Sequence, residues 1–117
     1  MPINGVVGTF NYGGVRASTT GHPPVFETGV VKADNGIYPA GVVLAKDGDG
    51  KLVPCEDLVA ETVQGVNDAP VDTSVDTVAQ YLVHGTARED MLVKGAAATA
   101  LTVADIAELK TVGIFAD

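Results

Sequence analysis

The sequence predicts a small, mainly β domain of sandwich or barrel type, with one short C-terminal α-helix and a flexible N-terminal arm. Three observations carry that prediction. Apolar residues make up 46% of the 117 positions while aromatics make up 5% and Trp is absent, so the core must come from Val, Ala, Leu and Ile. Such side chains suit pleated structure. The apolar runs are short and separated by Gly, Pro, Asn and Asp, which is the punctuation of strands and turns. A helix start and stop signal occurs near the C-terminus, within "LTVADIAELKTVG". The length fits one domain with one modest core.

Residues 1–26 are expected to be the arm, and residues 27–117 a single β-rich domain. The arm holds Arg16 and no acidic residue, whereas residues 47–76 hold eight acids against Lys51. Half of the glycines fall in the first 36 residues, mixed with Thr, Ser, Asn and the Pro23-Pro24 pair. That composition resists forming an independent core. Ile3, Val6, Val7, Phe10, Tyr12 and Val15 nevertheless punctuate it with apolar groups. Burying those side chains returns less than ordering the backbone costs, so the arm is expected to settle only where a partner lends a sheet edge. It also fits a loose terminus, or one folded back on its own domain.

"IYPAGVVLAKDGDGKLVPC" (37–55) reads as a hairpin. Pro39 pushes Tyr38 towards an extended conformation, Val42, Val43 and Leu44 favour a strand, and Asp47-Gly48-Asp49-Gly50 is turn chemistry. Leu52 and Val53 resume an extended run that Pro54 confines to an edge or an end. Against the calcium-loop pattern, Asp47 and Asp49 fit the first and third positions. Lys51, Leu52 and Leu58 stand where a third ligand, a glycine and a bidentate Glu are needed, so the turn is expected to reverse the chain and hold no metal.

"ETVQGV" (61–66) reads as a short strand and "NDAPVDTSVD" (67–76) as a polar loop. "TVAQYLVHG" (77–85) is the strongest strand: Val78, Gln80, Leu82 and His84 share one face, Thr77, Ala79, Tyr81 and Val83 the other. Apolar groups on both faces place it centrally. "TAREDMLV" (86–93) reads as extended or turn structure. In the helix, Thr102 is the expected cap with Asp105 at the third position, Leu101 a staple against Ile106, and Gly113 the stop. Val103, Ile106, Ala107 and Leu109 or Lys110 are its expected apolar stripe, and "IFA" extends again.

The formal charge of −8, with Arg16 and Arg88 the only guanidinium groups, argues against nucleic acid as a partner. No apolar run is long enough to span a membrane and the first residues lack a signal-peptide pattern, so synthesis in the cytosol is expected. Cys55 is the single cysteine. Glu56 and Asp57 beside it disfavour a thiolate, so a small apolar role is expected. With His84 a strand-terminal polar residue, His22 on the arm and no base and nucleophile at recognisable spacing, no triad, metal cluster, phosphate loop or cofactor is expected, and the protein is not expected to be an enzyme.

The succession "YPAGVVLAKDGDGKLVP", "VQGV", "VAQYLVHG" and "LTVADIAELKTVGI" resembles the lambda-type head decoration proteins of tailed phages, over roughly residues 27–115. The resemblance implies a β-tulip-like domain that forms homotrimers on three-fold positions of the expanded capsid and holds neighbouring major capsid subunits against internal DNA pressure. It places the protein on the exterior of the virion. It also implies an arm that orders against the capsid, mapped here onto Ile3, Val6, Val7, Phe10, Tyr12 and Val15. This arm departs from the Thr- and Pro-rich arms of that family. Acidic surfaces would discourage adhesion to the packaged genome. The competing reading is a small acidic β-barrel that binds a ligand or ion as an accessory domain.

Overall fold

Both ends of the described chain are fastened to one stretch, Val78–Ala87. The computed structural model describes residues 16–19 and 23–117. In chain order the strands are β1 (Ser18–Thr19), β2 (Val25–Val30), β3 (Ile37–Tyr38), β4 (Val43–Lys46), β5 (Leu52–Pro54), β6 (Val63–Asn67), β7 (Val71–Asp72), β8 (Val78–Ala87), β9 (Val93–Lys94), β10 (Thr99–Ala100) and β11 (Ile114–Ala116). A 3₁₀ turn at Glu89–Met91 precedes β9, and helix α1 spans Val103–Thr111. The fold is mainly β with one short helix near the C-terminus, as expected.

The principal sheet runs β1-β8-β6-β4-β5, with β2 and β11 also paired to β8. All of its pairings are antiparallel except β11 with β8, which is parallel. Immediately after β2, Val31 bridges Leu52 of β5 and the Lys32 N–H donates to the Leu52 carbonyl at 3.2 Å. That bridge closes the sheet on itself. The small ladders β3/β7 and β9/β10 are separate from it.

Alternation along β4 and β8 divides the core in two. Val42 and Leu44 join Val31, Tyr38, Leu52, Val71, Ala79 and Tyr81 on one face. Val43 and Ala45 join Cys55, Leu58, Val66, Leu82, Leu109 and Ile114 on the other. On β8, Ala79, Tyr81 and Val83 face one cluster as the alternation expects, whereas of the opposite face only Leu82 enters the core and Val78, Gln80 and His84 are exposed. Gly65 lets β6 cross β8 closely, since a Cβ there would overlap the Leu82 carbonyl oxygen and stand 2.7 Å from the Tyr81 ring. Gly41, at φ +97, is held under the Met91 carbonyl with no room for a side chain.

The expected hairpin is present, with Leu44 opposite Pro54 and Lys46 opposite Leu52. Asp47 organises its turn: Oδ1 accepts the Asp49 and Lys51 N–H groups, both at 2.9 Å. Those bonds, that from Lys51 foremost, hold its carboxyl below the ordinary range.

Three expectations need correction. The arm boundary at residue 26 falls inside β2, and β1 already pairs Ser18 with Ala87, so part of the Gly- and Pro-rich leader is sheet. Side-chain composition carries no trace of the backbone ladder that β8 offers these residues. The segment 67–76 is polar but not a plain loop: it contains β7, and Asn67, Asp68 and Thr73 are buried because each bonds other parts of the chain. On α1, Val103 is 85% exposed and Ala107 is exposed, while Leu109 and Asp105 face inwards. Asp105 and Leu109 stand four apart on one face, and Asp105 pairs with Lys94 of β9.

The helix start is a full capping box. Asp105 N–H donates to Thr102 Oγ1 at 3.2 Å, Thr102 N–H donates to Asp105 Oδ2 at 2.9 Å, and Lys94 Nζ reaches the same oxygen at 2.8 Å. Gly113, at φ +91, ends the helix by donating to the Lys110 carbonyl. The ion pair with Lys94, then the Thr102 N–H, holds the Asp105 carboxyl below its ordinary 3.8. As pH falls, the unfolded chain takes up this proton first, so the stability Asp105 contributes is present above 3.8 and lost as pH falls through the lowered value. Denaturant titration is expected to show T102A costing about 1 kcal/mol at neutral pH. D105N is expected to reduce the loss of stability on acidification below 3.8.

Candidate functional site

The described chain begins at a clasp. Arg16 Nε donates to Asp68 Oδ2 at 2.6 Å, and its terminal nitrogen pairs with the same oxygen. The guanidinium also lies 5.3 Å from the centroid of the Phe26 ring, so it is held between a carboxylate and an aromatic face. Asp68 is 2% exposed, and its other oxygen accepts the Ser18 N–H at 3.0 Å. Ala17, fully buried, donates its N–H to the Asp68 carbonyl at 3.1 Å and accepts from Arg88 N–H at 2.7 Å. Residues 16–19 are thus pinned by an ion pair, by backbone bonds and by the ladder to β8.

Asn67 supports the neighbouring turn. Its amide nitrogen donates to the Tyr38 and Pro39 carbonyls, each at 3.0 Å, and its backbone carbonyl accepts the Gly41 N–H at 2.8 Å. This cradles the Pro39–Gly41 bend that feeds β4. Sequence reading missed Asp68 and Asn67. The available signal was that Arg16, the sole charge of its leader, needed an acid, and eight lay in residues 47–76 with nothing to choose among them.

Beside the clasp, exposed valines stand among polar side chains around two surface depressions. Val30 and Val78 face each other across β2 and β8, both about half exposed, and Val75 is 75% exposed. One depression of about 370 Å³ is lined by Thr28, Asp68, Pro70, Asp76, Val78 and Gln80 among others. A second, of about 300 Å³, includes Val30, Lys51, Val75 and Asp76. Asp68 therefore both anchors the arm root and walls the first depression, and Asp76 walls both.

The acids of this region are engaged in local structure. Asp76 Oδ2 accepts the Asp72 N–H at 3.0 Å, and Asp72 Oδ1 accepts from the Ser74 hydroxyl at 2.7 Å and its N–H at 3.0 Å. The Ser74 bonds hold the Asp72 carboxyl below its usual range. Among the described residues no three His, Cys, Asp or Glu side chains come together as a metal ion would require. His84 is exposed and stands edge-on to Phe115, with ring centroids 6.3 Å apart.

Cys55 is fully buried, and burial, reinforced by Glu61, pushes its thiol up to about 11. It packs in the cluster of Val43, Leu58, Leu82 and Leu109 while its N–H and carbonyl tie β4 to Gly95. The expected contact residues Ile3, Val6, Val7, Phe10, Tyr12 and Val15 lie outside the described residues. Comparison with protein-family models finds no match for this chain, and comparison with curated proteins finds none.

Two measurements check this arrangement. R16A is expected to lower the unfolding free energy by about 1–3 kcal/mol, because it strands a buried carboxylate. The R16A/D68N double variant should recover part of that loss, since it removes the stranded charge, and a strictly additive double mutant would exclude the coupling. A disulfide-exchange reagent near neutral pH should leave Cys55 unmodified in the folded chain and label it fully in urea.

Proposed function

We propose that this chain is a structural decoration protein of a lambda-type phage head, which binds as a homotrimer at three-fold positions of the expanded capsid and stabilises the shell against internal DNA pressure. The partner is the major capsid protein, and no chemical step is involved. The observation that carries the reading is the clasp at Arg16–Asp68. It joins an apolar leader, poor in charge, to the central strand of a closed β domain. The order of hairpin, short strand, central strand and capped C-terminal helix supports the same reading.

The mechanism is mechanical. Residues 1–15 supply the contacts with the shell, and a pull on them is borne at Arg16 and β1 and passed into β8. In a trimer three such leaders act from one body. Once the first is engaged the others bind at high effective concentration, so weak single contacts add to a durable grip.

The test uses the full chain and a variant lacking residues 2–15, a cut that spares the clasp. Each is mixed with expanded empty capsids and its mass in solution is measured. The expected result is a trimer from both chains, with shell binding by the full chain and its loss on truncation. Equal binding by the truncated chain would refute the role of the leader. A monomer whose melting temperature rises with calcium would support the ion-binding accessory domain instead.

A further inference from the structure

We propose that Asn35–Gly36 is a covalent modification site, at which the backbone of the chain converts the Asn35 amide to an aspartyl or isoaspartyl carboxylate, with Thr73 and Tyr38 restraining the rate. The reaction needs only water. The Gly36 nitrogen attacks Asn35 Cγ, an N–C bond forms, the Cγ–Nδ2 bond breaks, and ammonia departs with the proton lost by Gly36. Water then opens the five-membered imide at either carbonyl. No electrons are exchanged.

The site is open to this chemistry. Asn35 and Gly36 are both exposed, Gly36 sits at φ +83, and nothing lies within 4 Å of where a side chain on it would stand. Gly36 therefore brings no side chain of its own to shield the attacking nitrogen. Two neighbours resist the rotation that ring closure requires. Thr73 Oγ1 accepts the Asn35 N–H at 2.7 Å and donates to the Gly36 carbonyl at 2.6 Å, while the Thr73 N–H donates to that same carbonyl at 3.1 Å. The leaving nitrogen, Nδ2, donates to the Tyr38 hydroxyl at 2.9 Å. Conversion must pass through a local opening that breaks these bonds. Asn67, by contrast, is buried, with its amide nitrogen held by two carbonyls.

The product matters because of where Tyr38 points. Its hydroxyl donates to the Leu52 carbonyl at 2.9 Å, the oxygen that also receives Lys32 N–H at the bridge closing the sheet. After conversion no amide donor faces that hydroxyl. In the aspartyl product a carboxylate faces it instead and competes with Leu52 for its single proton. One surface reaction thereby loosens the closure of the sheet. The inference is independent of the shell-binding reading.

The test is peptide mapping by mass spectrometry after incubation of the full chain in mildly alkaline buffer, following a gain of about one mass unit at Asn35. Conversion in the folded chain is expected about tenfold or more slower than in urea, because several hydrogen bonds must open together. Y38F should speed it by about two- to tenfold, the worth of the one hydrogen bond lost at Asn35, and T73V, which loses two there, by at least as much, while T73S keeps the slow rate. N35D should melt at a lower temperature than the parent. A folded chain that never converts while the unfolded chain does, or T73V and Y38F at the parental rate, would overturn the site. An unchanged melting temperature for N35D would overturn its link to the sheet closure.

Discussion

Strand β4 and the residue before it, Val42–Ala45, are apolar and buried on both faces, and that constraint organises everything else. A strand with two greasy faces is stable only if both are covered. This chain must do so without Trp and with three Phe residues. The cover on one face comes from Leu58, Leu109 of α1 and Ile114 of β11, and on the other from Tyr38, Leu52 and Val71. Closing the sheet through Val31 and Leu52 lets one set of short side chains meet across the interior. At Gly65 the neighbouring strands β6 and β8 approach so closely that no side chain fits between them.

Buried polar groups then act as fasteners where the apolar cover ends. Asp68 holds the leader, Asn67 holds the bend before β4, Asp105 holds the helix start, and Thr73 holds the loop before β3. Each joins segments far apart in sequence, except the capping box, and each satisfies backbone donors or acceptors that packing leaves over. The acids crowded into residues 47–76 are therefore largely architectural, with Asp47 and Asp72 locking turns and Asp68 holding a cation.

The features legible in the sequence were those set by neighbours along the chain. The hairpin about Asp47–Gly50, the strand β8 and the Thr102–Asp105 cap each need only a few adjacent residues, and each was found where expected. What was not legible depends on distant partners. Two-residue strands such as β3 and β7 have no periodicity to read. The inward turn of Asp105 depends on Lys94, eleven positions away, and the burial of Asp68 on Arg16, fifty-two away. The candidate contact residues lie outside the described residues, and the Arg16–Asp68 anchor beside them came from the three-dimensional pairing.

The parallel seating of β11 has a practical corollary for anyone extending this chain. Ser18 and Ala116 both take Ala87 as their partner, and the Asp117 N–H donates to the Ala87 carbonyl while its own carbonyl accepts Glu89. A peptide or reporter grafted after Asp117 would consequently emerge beside the root of the leader. Cargo added there shares a doorway with the segment proposed to grip the shell, whereas an insertion in the Gly48–Gly50 turn leaves from a separate hairpin tip.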